Sequence, residues 1–345
     1  MKKIIIITLI LLTAAAAFFY GWPMYQLHFS KIDLNEDKML YIKTGTTLDE
    51  LATQIDSEKI VSKEKFLKFA ADLEFDDSKI EPGKFEIISG MKIKNLVYAL
   101  KNGNQEIKDV KITFNNCENI YDLAGKVSPS IEADSTELVS YIMSPTTMEK
   151  YGFTEETIPS LFLPDTYEVG EWDMTAEEFV SFMANQWKAF WNEEREAKRE
   201  ELKLTESEVA TLASIIEAEQ GIHTEEWKRI AGLYLNRVRL GMKLQADPTA
   251  KFCWGDELNG VQRILTVHLE KDCPYNTYLY AGIPPGPIRI PSKDAINAIL
   301  DAEDHKYIFF CAKDDNSGLH AFAETYEQHL ENARKFHRYM DARGN

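Results

Sequence analysis

The sequence predicts an α+β chain in three parts: an N-terminal transmembrane helix within residues 1–25, a small mixed module over 38–113, and a larger α+β domain over 114–345. Three observations carry this expectation. An uncharged run from Ile4 to Trp22 approaches the about 20 residues that a helix needs to cross a bilayer. Short alternating segments occur in several places but are too few for a large sheet. Stretches of helical period, opened by capping-box pairs, fill most of the remainder.

At the N-terminus, Lys2 and Lys3 precede the apolar run and no cation closely follows it. The positive-inside rule then keeps the N-terminus cytoplasmic and places the rest of the chain on the periplasmic side of the inner membrane, as a single-pass protein. A cleaved signal peptide is the alternative, with Ala14–Ala17 as the small-residue cleavage site. The aromatic flank Phe18, Phe19, Tyr20 and Trp22 suits a membrane interface and favours the uncleaved anchor.

The small module begins after a polar spacer. Leu40–Lys43 alternates as a strand, and Thr47 with Glu50 opens a helix carrying Leu48, Leu51, Ala52 and Ile55. Ser62 caps a second helix over 63–71, and Pro82-Gly83 turns into a strand over 84–88. Residues 95–101 read as helix and 109–114 as strand. The larger domain starts with a helical stretch, broken by Pro and Ser, over 119–148. Thr175 and Glu178 open one long helix to about Lys198, and Thr205 and Glu208 another to about Gln220. A third covers 225–240 and stops at Gly241. Residues 244–291 are loop-rich. A short helix over 295–302 precedes an aromatic strand over 306–312. A turn at 314–318 leads into a second strand over 319–323, and Thr325 with Gln328 starts the last helix.

The formal net charge of −17 argues against a nucleic-acid partner, because phosphate binding needs a basic footprint. It equally argues against a role that depends on adhering to anionic lipid. The four cysteines form no CxxC pair. Cys253 and Cys273 can pair across a loop in an exported protein, and buried free thiols are the alternative. The seven histidines form no HxxxH or HxH arrangement, so no metal and no cofactor are expected.

On a wheel of the 205–220 helix, Val209, Leu212, Ala213 and Ile216 form the apolar face. Glu219 falls beside that face, and Glu217 lies on its other edge with Ala210, Ala213 and Ser214. A carboxyl against apolar surface holds its proton to higher pH, which is what a general acid at neutral pH requires. The small residues beside Glu217 leave room for a sugar ring. Two solvated glutamates at a helix end are the plain alternative. Downstream, Gln245, Tyr275, Asn276 and Tyr278 sit in Pro/Gly-fixed loops. Amides there can bond sugar hydroxyls, aromatic faces can pack on pyranose rings, and a stiff Pro284-Pro285-Gly286-Pro287 loop limits the entropy lost on binding.

Ordered motifs run from Leu163-Pro164-Asp165-Thr166-Tyr167, through the helix Leu212–Glu219 and Asn236-Arg237, to Gly241–Thr249. Pro274–Tyr278, Gly282–Pro287 and His320-Ala321-Phe322 follow, then Thr325-Tyr326, His329 and Asn332. On these the chain resembles the MltG (YceG-like) family of endolytic peptidoglycan transglycosylases. The resemblance implies that Glu217, the first glutamate of the Glu-x-Glu pair, is the catalytic acid/base, assisted by Glu219 or Asp247. It places Thr249, Thr277, His320 and Phe322 with the four loop residues on the substrate side. The implied reaction cleaves the β-1,4 bond from N-acetylmuramic acid to N-acetylglucosamine and leaves 1,6-anhydromuramyl ends. Peptidoglycan strands, peptidoglycan synthases and the inner membrane are the implied partners. The β-α-α-β order of the small module resembles a LysM-like domain, a class that binds N-acetylglucosamine polymers; a spacer without sugar affinity is the alternative. Pro159-Ser160 and Arg289-Ile290 depart from the family pattern, which usually has Glu-Gly and Ala-Asn there. A non-catalytic glycan-binding protein of the cell-wall machinery is the rival reading for the whole chain.

Overall fold

The computed structural model describes residues 29–103, 107–258, 260–261 and 264–342, with the single positions 8, 13, 15, 18, 21, 22 and 25. Most of the expected anchor lies outside the described residues. Among the described residues no helix is long and apolar enough to cross a membrane. The α+β expectation holds. Two compact units emerge, one of residues 1–112, 130–132 and 168–174, the other of 113–129, 133–167 and 175–345.

In the first unit, β1 (Lys38–Ile42) and β2 (Gly83–Ile87) pair antiparallel, with Leu40 opposite Phe85. Alternation puts Leu40, Ile42, Phe85 and Ile87 on one buried face. Between the strands come α1 (Leu48–Ser57) and α2 (Lys63–Asp72). Thr47 and Glu50 form the expected reciprocal cap of α1, whereas Ser62 occupies the N-cap of α2 without a side-chain hydrogen bond. α3 (Ile93–Lys101) closes this core with Leu96, Val97 and Leu100. The order β1-α1-α2-β2 is the one the sequence suggests. β3 (Val110–Phe114) follows.

In the second unit, α4 (Ile120–Val127), α5 (Ser135–Ile142) and α6 (Pro145–Tyr151) resolve the broken helical stretch. β4 (Asp165–Gly170), not anticipated as a strand, forms a two-stranded sheet with β3, and each of these strands is divided between the two units. The long helix expected over 175–198 is two helices, α7 (Ala176–Phe190) and α8 (Glu193–Leu202). Asn192 breaks it by accepting the amide of Arg195 (3.0 Å), an N-cap bond that competes with helix continuation. α9 (Glu206–Glu219) and α10 (Trp227–Arg239) come next. The loop-rich region holds an unforeseen helix, α11 (Asp247–Trp254), started by Pro248 in its first turn. A disulfide joins Cys253 of α11 to Cys273. α12 (Lys293–Leu300) leads to the antiparallel hairpin β5 (Phe309–Ala312) and β6 (His320–Ala323), and α13 (Tyr326–Ala342) is the last element among the described residues. β5 is shorter than the aromatic run suggests because its register with β6 begins at Phe309↔Ala323.

Candidate active site

The site is built on α9. Thr205 and Glu208 cap its start reciprocally, and every residue from Val209 to Ile216 is buried. A helix buried on all sides is a core helix, and α9 packs against α10, α11 and α12. Only its last turn leaves the core, where Glu217, Ala218 and Glu219 are half-buried. Gln220 then fixes the end. Its amide donates to Glu226 (3.1 Å) and to the Gly318 carbonyl (2.9 Å). Its side-chain oxygen accepts the amides of Ile222 and His223, and its backbone carbonyl accepts the indole N–H of Trp227 (2.7 Å).

The two glutamates of this turn meet different surroundings. Glu217 Oε2 accepts the backbone amide of Ser292 (2.9 Å), the N-cap residue of α12, and so ties α9 to α12. Glu219 Oε2 is buried without a hydrogen-bond partner. Burial pushes the Glu219 carboxyl up to about 8, the charge of Asp247 adds to the rise, and the Arg237 guanidinium offsets part of it. Its position at a helix C-terminus acts in the same direction, since the backbone dipoles there disfavour an anion. Of the pair, Glu219 therefore has the environment of a general acid, and Glu217 has a structural hydrogen bond. The wheel sets Glu219 beside the apolar face, whereas the family resemblance implies Glu217 as the acid/base.

Two cavities meet at Glu219 and Asp247. One, of about 600 Å³, also has Ala218, Lys251, Phe252 and Arg289 in its wall. The other, of about 410 Å³, has Gln245, Tyr278, Phe310 and His320. Asp247 accepts the Tyr278 hydroxyl (2.5 Å), which orients the carboxylate between them. Arg237 is buried on the second cavity, where it donates to the carbonyls of Ile308 (2.7 Å) and Leu244 (2.6 Å) rather than to a carboxylate. Among the described residues no cluster of His, Cys, Asp and Glu could hold a metal ion.

The expected substrate residues separate into two groups. Gln245, Tyr278 and His320 line the second cavity. Tyr275 is half-buried against the Phe252 ring, 4.7 Å between centroids. Thr249, Asn276 and Thr277 are buried, and their side chains bond within the protein. The Asn276 amide donates to the carbonyls of Leu269 (3.0 Å) and Lys271 (2.8 Å), and the Thr249 and Thr277 hydroxyls bond each other (2.8 Å). Phe322 packs between Tyr307 and Phe310 and lines neither cavity described here. His320 has a second task, since its ring Nδ1 and its backbone amide both meet the buried Glu226 carboxylate (2.8 and 3.0 Å).

Glu226 has no distinguishing signal in the sequence, where it is one of several acids before a helix. Arg237 stands within the Asn236-Arg237 motif, but its role depends on carbonyls contributed by residues 244 and 308, which no local pattern connects.

The profile of the YceG-like family matches residues 40–335. An endolytic murein transglycosylase of Bacillus subtilis (strain 168) is 23% identical over 309 residues, 86% of this chain and 83% of that protein. An endolytic murein transglycosylase of Streptococcus pneumoniae (serotype 2, strain D39) is 34% identical over 131 residues, 37% of this chain and 23% of that protein. Among solved structures, a yceG-like protein of Listeria monocytogenes superposes with a TM-score of 0.53 at 22% identity, covering 86% of this chain and 99% of the other. That likeness speaks for the fold.

Proposed function

The chain belongs to the YceG-like family, and from that premise we propose that it is an endolytic peptidoglycan transglycosylase with Glu219 as its acid/base. The observation that carries the reading is a carboxyl, Glu219, with one oxygen buried and unpartnered, in the wall shared by two cavities. A strand lying through both would present an internal bond to Glu219, which suits cleavage within a strand rather than at its end.

In this reading protonated Glu219 donates to the glycosidic oxygen, and the bond from the muramyl C1 to that oxygen breaks. The C6 hydroxyl of the same muramyl residue then bonds to C1, and its proton returns to Glu219. The 1,6-anhydro end forms and the acid is regenerated. A second catalytic carboxylate of the kind that hydrolases use to activate water is dispensable, because the nucleophile is intramolecular. Asp247 keeps the Glu219 proton in place and offers a negative charge to the oxocarbenium-like centre. Mass spectrometry of purified glycan strands after incubation with the protein tests the reading. Anhydromuramyl products support it, and binding without cleavage would leave the rival glycan-binding role.

The pH dependence follows. Because the free enzyme needs Glu219 protonated, kcat/KM should fall at high pH with an apparent pKa of about 8. The Asp247 charge raises that value, so Asp247→Asn should move the alkaline limb to lower pH, beyond any loss of rate. An alkaline limb that stayed put or moved upward in this variant would contradict the assigned coupling.

The reading also includes the anchor, the LysM-like module as a glycan-binding unit, and a role in ending nascent strands beside the synthases. Its basis for the anchor is Lys2-Lys3 before an apolar run of near-spanning length. The full chain should remain in the membrane fraction, with residues beyond Asp37 open to protease from the periplasmic side. Recovery of a soluble form that begins after Ala17 would sink the anchor.

A further inference from the structure

Arg289 is a cation in the wall of the larger cavity, which Glu219 also lines. Its Nε is buried with no hydrogen-bond partner, and among the described residues it enters no ion pair. A guanidinium in that state retains the desolvation cost of its buried N–H without the compensating acceptor. Its mount is rigid. The amide of the preceding Ile288 donates to Ser214 Oγ of α9 (3.0 Å), and that of the following Ile290 donates to the Cys117 carbonyl (3.0 Å). Both neighbours are buried. The nearby Asp122 is committed elsewhere, accepting from Lys126 (3.0 Å) and from the Glu118 amide (3.1 Å). Lys251 adds a second cation to the same wall, and the acids of that wall are Glu118, Asp247, Asp256 and Glu219.

We infer that Arg289 is a specificity residue that receives a carboxylate of the glycan strand bound in this cavity, one sugar subsite from Glu219. A guanidinium fork is matched to a carboxylate in shape and charge. The inference rests on the proposed transglycosylase reading, which supplies the substrate class. Muramic acid offers two sources of that group: the lactyl carboxylate where the stem peptide has been removed, and the carboxylates of the stem where it is present.

The test compares wild type, Arg289→Ala and Arg289→Lys on three strand preparations: stem-bearing, stem-free with the lactyl carboxylate exposed, and stem-free with that carboxylate converted to a neutral amide. Arg289→Ala should raise KM roughly tenfold or more on at least one charged preparation, with kcat nearly unchanged. It should act as wild type does on the neutral one. A loss confined to stem-free strands assigns the lactyl group, and one confined to stem-bearing strands assigns the stem; both support the inference. Arg289→Lys should recover part of the loss. Equal KM for wild type and Arg289→Ala on every preparation, or an equal loss on all three, would overturn it. Should wild type cleave nothing, the transglycosylase reading has failed on its own account. Affinities of Glu219→Gln and Glu219→Gln/Arg289→Ala for the same strands then decide the Arg289 inference, with the same roughly tenfold charge-dependent difference expected. Melting temperatures of the Arg289 variants should match wild type, because no intramolecular bond is removed.

Discussion

Glu219→Gln is expected to abolish strand cleavage, with a fall in kcat of about ten-thousand-fold, the upper end for a general acid/base because one group serves both proton transfers. Glutamine keeps the volume and the hydrogen-bonding reach but has no acid proton to give. Glu217→Gln should retain substantial activity, since its carboxylate bonds a backbone amide that the glutamine carbonyl oxygen can also meet. The stability of the two variants offers a second readout. In the folded protein Glu219 holds its proton up to about pH 8, whereas in the unfolded chain it loses it near the ordinary 4.5. Unfolding therefore releases a proton between those values, and wild-type stability declines as pH rises through that window. Glu219→Gln lacks this loss. Its melting temperature should exceed that of wild type by a margin that grows from pH 5 to pH 8 and then levels. A dead Glu217→Gln beside an active Glu219→Gln, at equal stability, would reverse the assignment while leaving the enzyme class standing.

The second large effect is expected at Gly286. A Cβ there would lie 1.9 Å from the carbonyl oxygen of Glu156 and 2.6 Å from its carbon. Both are backbone atoms that no rotamer change can move aside. Gly286→Ala must therefore displace one segment or the other, at a cost of about 3 kcal/mol, the high side for overpacking. In a unit of this size that corresponds to a fall in melting temperature of roughly 10 °C. Activity should drop further than stability alone explains. Two residues on, the Ile288 amide bonds Ser214 of α9, and the next residue is Arg289 in the cavity wall. A shift of the loop thus moves one wall of the site against the helix that carries Glu219. Thermal melting and kcat/KM at a temperature where the variant is folded check this. A melting temperature within about 2 °C of wild type would show that the contact relaxes freely.

The stiffness of the Pro284-Pro285-Gly286-Pro287 loop is legible in the sequence, but its use is not. Sequence suggests a loop preorganised for sugar, whereas the structure has it pressed against residue 156 and bonded to α9. Thr249, Asn276 and Thr277 illustrate the same limit. A polar side chain in a loop looks equally suited to a ligand and to the protein's own carbonyls, and only the fold reveals which acceptors lie within 3 Å.

Local signals determined what depends on near neighbours along the chain. The capping boxes at Thr47, Thr175 and Thr205 set helix starts, because both partners of each lie within one turn. The alternation of Leu40, Ile42, Phe85 and Ile87 set the buried face of the first strand pair. Ordered motifs with the Glu-x-Glu turn were enough to point to the family and to two candidate acids. What differs between the surroundings of those acids lies in the tertiary structure. Glu217 and Glu219 share a helix end, a residue type and a flank of the same apolar face. What separates them is contributed from elsewhere in the chain: the Ser292 amide that Glu217 accepts, and the burial, Asp247 charge and Arg237 guanidinium that surround Glu219. Proton affinity is set by solvation and by charges within several ångströms in space, and a helical wheel contains neither.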